Sequence, residues 1–165
     1  MKPLTSFTFS IGLFILLVSC KPNVNVAVNT STPGESPITF DSALAVKTGA
    51  DDYGMKHYVM AFLKAGPKRD QDSVTAAQIQ KAHMANINRL AEEGKLIVAG
   101  PFEDNGELRG IFVFNVATLE EAKTLTETDP AVQAGRLIME LHPWYGSAAM
   151  MEINNLHKKV SKKSF

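Results

Sequence analysis

An α+β domain with the order strand, helix, strand, strand, helix, strand is what this sequence predicts. Three observations carry that reading. Short β-branched and aromatic runs recur along the chain, amphipathic segments open on capping boxes, and Gly-Pro, Asn-Gly and Asp-Pro breaks separate them.

His57-Tyr58-Val59-Met60-Ala61-Phe62-Leu63 is the first strand, stopped by Gly66-Pro67. A helix follows. Thr75-Ala76-Ala77-Gln78 has capping-box spacing, and Gly94 sits where a C-terminal glycine belongs. Ile79, Ala82, Asn86, Ile87 and Leu90 share one face of that helix, and His83 lies on the same face. Lys95 to Pro101 is the second strand. Glu103 to Glu107 is a turn with Asn105-Gly106 at its centre, and Gly110 to Val116 is the third strand, paired with the second as a hairpin. Thr118-Leu119-Glu120-Glu121 caps a second helix with an inner stripe of Leu119, Ala122 and Leu125. Asp129 as N-cap and Pro130 at the first helical position start a further short turn through Ala134. Arg136 to His142 is the fourth strand, closed by Pro143. From Gly146 onward Met150, Ile153, Leu156 and Val160 recur at helical spacing, and Lys158, Lys159, Lys162 and Lys163 make the end basic.

This order is the split βαβ, ferredoxin-like arrangement: a four-stranded antiparallel sheet with its helices on one face. Two helices cover only one face of such a sheet. The other face needs a second cover, most simply another copy of the chain, so a homodimer through the open sheet face is expected. In the fourth strand Arg136, Glu140 and His142 alternate with Leu137, Met139 and Leu141. The polar set therefore points away from the helices, toward a dimer partner or a cavity.

Upstream of the domain, Lys2 supplies a positive n-region and Ile11 to Val18 an apolar h-region too short to span a bilayer. Leu17-Val18-Ser19-Cys20 follows, and Cys20 is the only cysteine. Leu-small-small-Cys after such a leader resembles the lipobox of bacterial lipoproteins. The resemblance implies a signal peptide over 1–19, lipidation of Cys20, and attachment to a lipid bilayer outside the cytoplasm. The alternative is an ordinary secretory signal or short anchor with Cys20 incidental. Lys21 stands where an aspartate would mark inner-membrane retention, which favours the outer membrane. Residues 20–54 are rich in Asn, Val, Thr, Ser and Pro and read as a flexible tether; residues 55–146 form the domain, and 147–165 a C-terminal helical extension with a basic tail. Ile38 to Phe40 and Leu44 to Val46 are apolar enough to dock on the domain, so the tether's end is soft.

Seventeen basic and seventeen acidic side chains leave no net charge, so nothing points to nucleic acid. A single cysteine rules out an intrachain disulfide. There is no glycine-rich phosphate loop, HExxH or cysteine cluster, and no metal or organic cofactor is expected.

The stretch from His83 to Trp144 resembles the YciI family, also called YCII-related domains. The marks are His83 on a helix, Ala99-Gly100-Pro101 after the second strand, Asp129-Pro130 after the second helix, and Pro143-Trp144 at the close. The resemblance extends over Met55 to Tyr145. It implies a dimeric α+β barrel with a His–Asp pair in a cleft, here His83 and Asp129. It also implies a small-molecule enzyme: relatives include a dehydrochlorinase acting on a chlorinated hydroxyaromatic, and the wider fold includes muconolactone isomerase and small monooxygenases.

Each site residue also has a plainer reading. His83 could be a hydrogen-bonded core histidine, and Asp129 a helix cap alone. Gly100 and Pro101 could end a strand or narrow a ligand cleft. Trp144 could be a core aromatic or a stacking platform for a ring. The lysine-rich end could be solvated or could meet an anionic surface. Taken with the resemblance, the expectation is general acid–base chemistry by His83, oriented by Asp129, in isomerisation, elimination or hydrolysis of a small organic molecule. The alternative is a non-catalytic ligand-binding or envelope module on the same barrel, marked by a His83 and Asp129 too far apart to bond.

Overall fold

The computed structural model describes residues 39–163, and the Cys20 leader lies outside them. The chain forms α1 (Ser42–Thr48), β1 (Met55–Ala65), α2 (Ser73–Glu92), β2 (Leu96–Pro101), β3 (Leu108–Phe114), α3 (Leu119–Thr126), α4 (Pro130–Gln133), β4 (Leu137–Ser147), a 3-10 turn (Ala148–Glu152) and α5 (Ile153–Val160). The sheet order is β2-β3-β1-β4, all antiparallel, so the expected ferredoxin-like α+β arrangement is the one observed. No described helix is long and apolar enough to cross a membrane.

Period-two alternation sorts the side chains to the two faces. Val59, Ala61 and Leu63 from β1 and Phe112 and Phe114 from β3 point to the helix side, where Leu90 and Ala122 close over them. Leu137, Met139 and Leu141 of β4 join that core, as the alternation predicted. Ile138, Glu140 and His142 face the other way and are exposed.

The opposite face departs from expectation. One part of it is covered by the chain's own C-terminal segment. Met150 and Met151 pack with Trp144 on Tyr58, Ile97 and Val113, and the Tyr58 hydroxyl donates to Ser147 O at 3.1 Å. Residues past 146 thus belong to the domain. The uncovered part carries Phe62, whose ring meets His142 edge-on, and Lys64, ion-paired with Glu140.

Several boundaries also shift. Residues 42–48, placed within the tether, form α1. Asp41 caps it through Leu44 N at 2.9 Å, Gly49 ends it at φ 70°, and its Lys47 pairs with Glu152 at 2.7 Å. Local capping and this docking on the 3-10 turn outweigh the polar composition. Helix α2 starts earlier than Thr75, because Asp72 is the true cap: its carboxylate accepts from Val74 N and Thr75 N, and Thr75 donates its hydroxyl back at 2.6 Å. Strand β3 is displaced toward the hairpin, beginning at Leu108. Gly106 does not take a positive φ, so Asn105-Gly106 lies in a wider loop and not in a two-residue turn. Strand β4 runs through Pro143 to Ser147. It is an edge strand, where a missing N–H costs no ladder bond if it points outward. A β-carbon on Gly146 would meet the Trp144 ring at 2.3 Å, so only glycine lets that indole lie across the strand.

Candidate active site

Helix α2 presents His83 to the sheet. Its imidazole stacks on Phe112, with ring centroids 6.1 Å apart and planes inclined by 16°. Asp129 arrives from the other half of the chain. Helix α3 ends with Thr128 N bonded to Leu125 O, and Asp129 then opens α4, with its Oδ1 accepting from Ala131 N at 2.8 Å. Pro130 at the first helical position loses no intrahelical bond there. The short α4 packs against α2, and this brings the two side chains together.

His83 Nδ1 lies 2.9 Å from Asp129 Oδ1 and 2.7 Å from Oδ2. Asp129 is 0% exposed and His83 7%. An ionised carboxylate only accepts, so the proton between the two residues belongs to Nδ1. In the neutral ring the lone pair then sits on Nε2, which makes no hydrogen bond among the described residues. This is the arrangement in which a carboxylate fixes the tautomer of a histidine and stabilises its imidazolium, leaving the distal nitrogen to accept or donate a proton.

One helical turn after His83, Asn86 is also buried in the seam between α2 and the α3–α4 connection. Its Oδ1 accepts from Arg89 Nη2 at 2.7 Å, and the Thr128 hydroxyl lies 3.1 Å away. Arg89 also donates to Thr128 Oγ1 at 3.1 Å and pairs with Glu93 at 2.8 Å. Thr128 is the residue before Asp129, so this polar cluster is continuous in the chain with the His–Asp pair. Sequence reasoning placed Asn86 on the apolar face and went no further. A polar side chain in that stripe, one turn from the histidine, was the signal available.

The structure brings together two of the five predicted catalytic and ligand-binding residues. Gly100 and Pro101 end β2 opposite Ile111 and Gly110, one residue beyond Ala99, the strand partner of Phe112. They follow the strand partner of Phe112 along β2, and neither shares in the hydrogen bonds of the pair. Trp144 does not join the site. It lies 5.9 Å from Tyr58, ring centre to ring centre, on the face of the sheet opposite His83 and Phe112. A surface groove of about 400 Å³ is lined by Asn88, Glu92, Asn154 and Lys158 among others. It runs along the far side of α2 and contains neither His83 nor Asp129. Among the described residues no three His, Cys, Asp or Glu side chains converge as a metal-binding set.

A family model described as the YCII-related domain matches residues 58–145, more than half of the chain. Among solved structures, the chain is similar to 5-chloro-2-hydroxyhydroquinone dehydrochlorinase from Burkholderia phenoliruptrix, in its complex with 2,5-dihydroxybenzoquinone. The identity is 18%, over 52% of this chain and 92% of that one, with a TM-score of 0.41. No curated protein matches the chain.

Proposed function

The chain belongs to the YCII-related domain family, and from that membership we propose that it is an enzyme using His83 and Asp129 for general acid–base chemistry on a small organic molecule. One observation carries the reading: Nδ1 of a buried histidine sits within 2.9 Å of both oxygens of a fully buried aspartate. A cap alone needs only the bond from Asp129 to Ala131 N. It gives no reason for a second partner, an imidazole from another helix.

In the proposed cycle Nε2 removes a proton from an activated carbon or hydroxyl, and Asp129 stabilises the resulting imidazolium. The same proton returns elsewhere on the substrate in an isomerisation, or stays while a leaving group departs in an elimination. With water as the group deprotonated, the chemistry is hydrolysis. The binding-module alternative required a separated pair, and the short distances favour the enzyme.

Two further parts of the reading concern the setting. A lipid anchor on Cys20 would hold the domain outside the cytoplasm, with the outer membrane favoured by Lys21. Substrates would then be compounds that enter through the envelope. A second copy of the chain would cover the exposed part of the sheet around Phe62 and Ile138, beside the C-terminal segment.

His83→Asn tests the chemistry. Its amide can still donate to Asp129, while the Nε2 position is lost. The expected result is a folded protein with no turnover of any substrate that the wild type converts. Undiminished turnover would defeat the proposal.

A further inference from the structure

Asn86 is 8% exposed, and its amide nitrogen Nδ2 is buried without a hydrogen-bond partner among the described residues. The orientation of the amide is not arbitrary. A guanidinium has only donors, so the atom that Arg89 Nη2 approaches at 2.7 Å must be the carbonyl oxygen. Nδ2 is then the free end. A buried donor left unmade forfeits its full hydration, whereas leucine or alanine at the same position in an apolar stripe would forfeit nothing. Such groups persist in native proteins where a ligand or an ordered water completes them.

The location narrows what completes this one. Asn86 follows His83 by one helical turn, which sets their β-carbons about 5–6 Å apart on one face. Both side chains meet the same short stretch of chain, His83 at Asp129 and Asn86 at Thr128. Arg89, held in turn by Glu93, locks the amide from behind. The donor is therefore preorganised, next to a base, and empty-handed.

We propose that Asn86 Nδ2 donates to an oxygen of the substrate, and that the site takes carbon acids whose acidic carbon adjoins a carbonyl group. This rests on the acid–base reading of His83 and adds a substrate class to it. When Nε2 removes the proton, the C–H electron pair becomes the carbon–carbon double bond of an enolate. The carbonyl π pair moves onto oxygen, the abstracted proton stays on Nε2, and Asp129 faces the imidazolium through Nδ1. The charge that develops on oxygen is the charge a fixed amide N–H stabilises. Reprotonation at the same or another carbon restores the base, so no co-reactant is consumed.

The test uses the full-length chain with acetylacetone as probe, reading deuterium incorporation at its central carbon above the buffer rate. The side-chain amide signal of Asn86 is followed in the nitrogen–proton correlation spectrum. Asn86→Asp keeps an acceptor for Arg89 and Thr128 but removes the donor. The expectation is a shifted Asn86 amide signal on titration, and exchange slowed about 10²–10³-fold in Asn86→Asp. Exchange lost in His83→Asn but intact in Asn86→Asp would overturn the Asn86 assignment and spare the base. No exchange above buffer in the wild type would defeat both. If Asn86→Asp does not fold, the wild-type titration decides: an amide signal unmoved by saturating probe overturns the proposal. So does a high-resolution structure with one enclosed water on Nδ2 and no opening beyond it.

Discussion

Asp129→Ala removes two interactions that differ in kind. The first is the cap: Oδ1 no longer accepts from Ala131 N, a loss of about 1 kcal/mol for an N-cap aspartate. The second is the acceptor for His83. Its Nδ1 is buried against Asp129, and a buried donor left without a partner costs about 1–3 kcal/mol. The sum is about 2–4 kcal/mol. Asp129→Asn separates the two. Asparagine caps as well as aspartate, so Ala131 N keeps its acceptor. Its NH₂, however, replaces the oxygen now 2.7 Å from Nδ1 and forces the ring into the other tautomer. The stability loss should be about 1 kcal/mol, with kcat falling by about 10⁴, the effect of reversing the tautomer in a Ser-His-Asp site. Urea unfolding followed by the fluorescence of Trp144, the only tryptophan, measures the first quantity. With a mid-range slope of about 2 kcal/mol/M, the alanine variant should unfold at a midpoint roughly 1–2 M lower than wild type. An unchanged midpoint for Asp129→Ala would refute the energetic argument. Equal midpoints for the two variants would show that the cap contributes nothing.

Other expectations bear on the frame around the site. Gly146→Ala sets a β-carbon 2.3 Å from the Trp144 ring, so the indole must move; a loss of about 1–3 kcal/mol and a shifted emission maximum are expected, and an unaltered spectrum would contradict the packing. Glu140 has its pKa lowered from the ordinary 4.5, first by Lys64 and then by His142. A depressed carboxylate stabilises the fold above its unfolded pKa, and that contribution is lost as pH falls through the folded value. Wild type should therefore lose more stability than Glu140→Gln in the acid range below about pH 4.5, and parallel acid curves would speak against the pairing. Phe62→Glu puts a charge on the uncovered part of the sheet; light scattering should find a dimer for wild type and a monomer for the variant, and two equal masses would count against the proposed interface.

What could be read in advance followed from local rules. The caps at Thr118 and Asp129, the glycine stop at Gly94 and the alternation in β4 are decided by neighbours in sequence, and each appears as expected. The pairing of His83 with Asp129, forty-six residues apart, came through family resemblance and not through spacing. The misses arose where tertiary packing decides. Pro143 looked like a stop because nothing in the sequence marks β4 as an edge. Trp144 was left as a core aromatic or a stacking platform, and the parity of β4 decides it by sending the ring into the packing on the face opposite His83. Met150 stood in the helical repeat of the tail, but no local signal showed that it and Met151 cover part of the sheet. Asn86 belonged to an apolar stripe by period, and only the positions of Arg89 and Thr128 show which end of its amide is free.

The proposed chemistry depends on which ring nitrogen of His83 carries the proton. A long-range nitrogen–proton spectrum of the labelled protein, recorded with the ring neutral, reads this directly. The arrangement predicts a protonated Nδ1 donating to Asp129 and an unprotonated Nε2 with its lone pair available. A spectrum showing the proton on Nε2 would contradict it, since Asp129 would then have to be the donor and His83 would hold no base to offer a substrate.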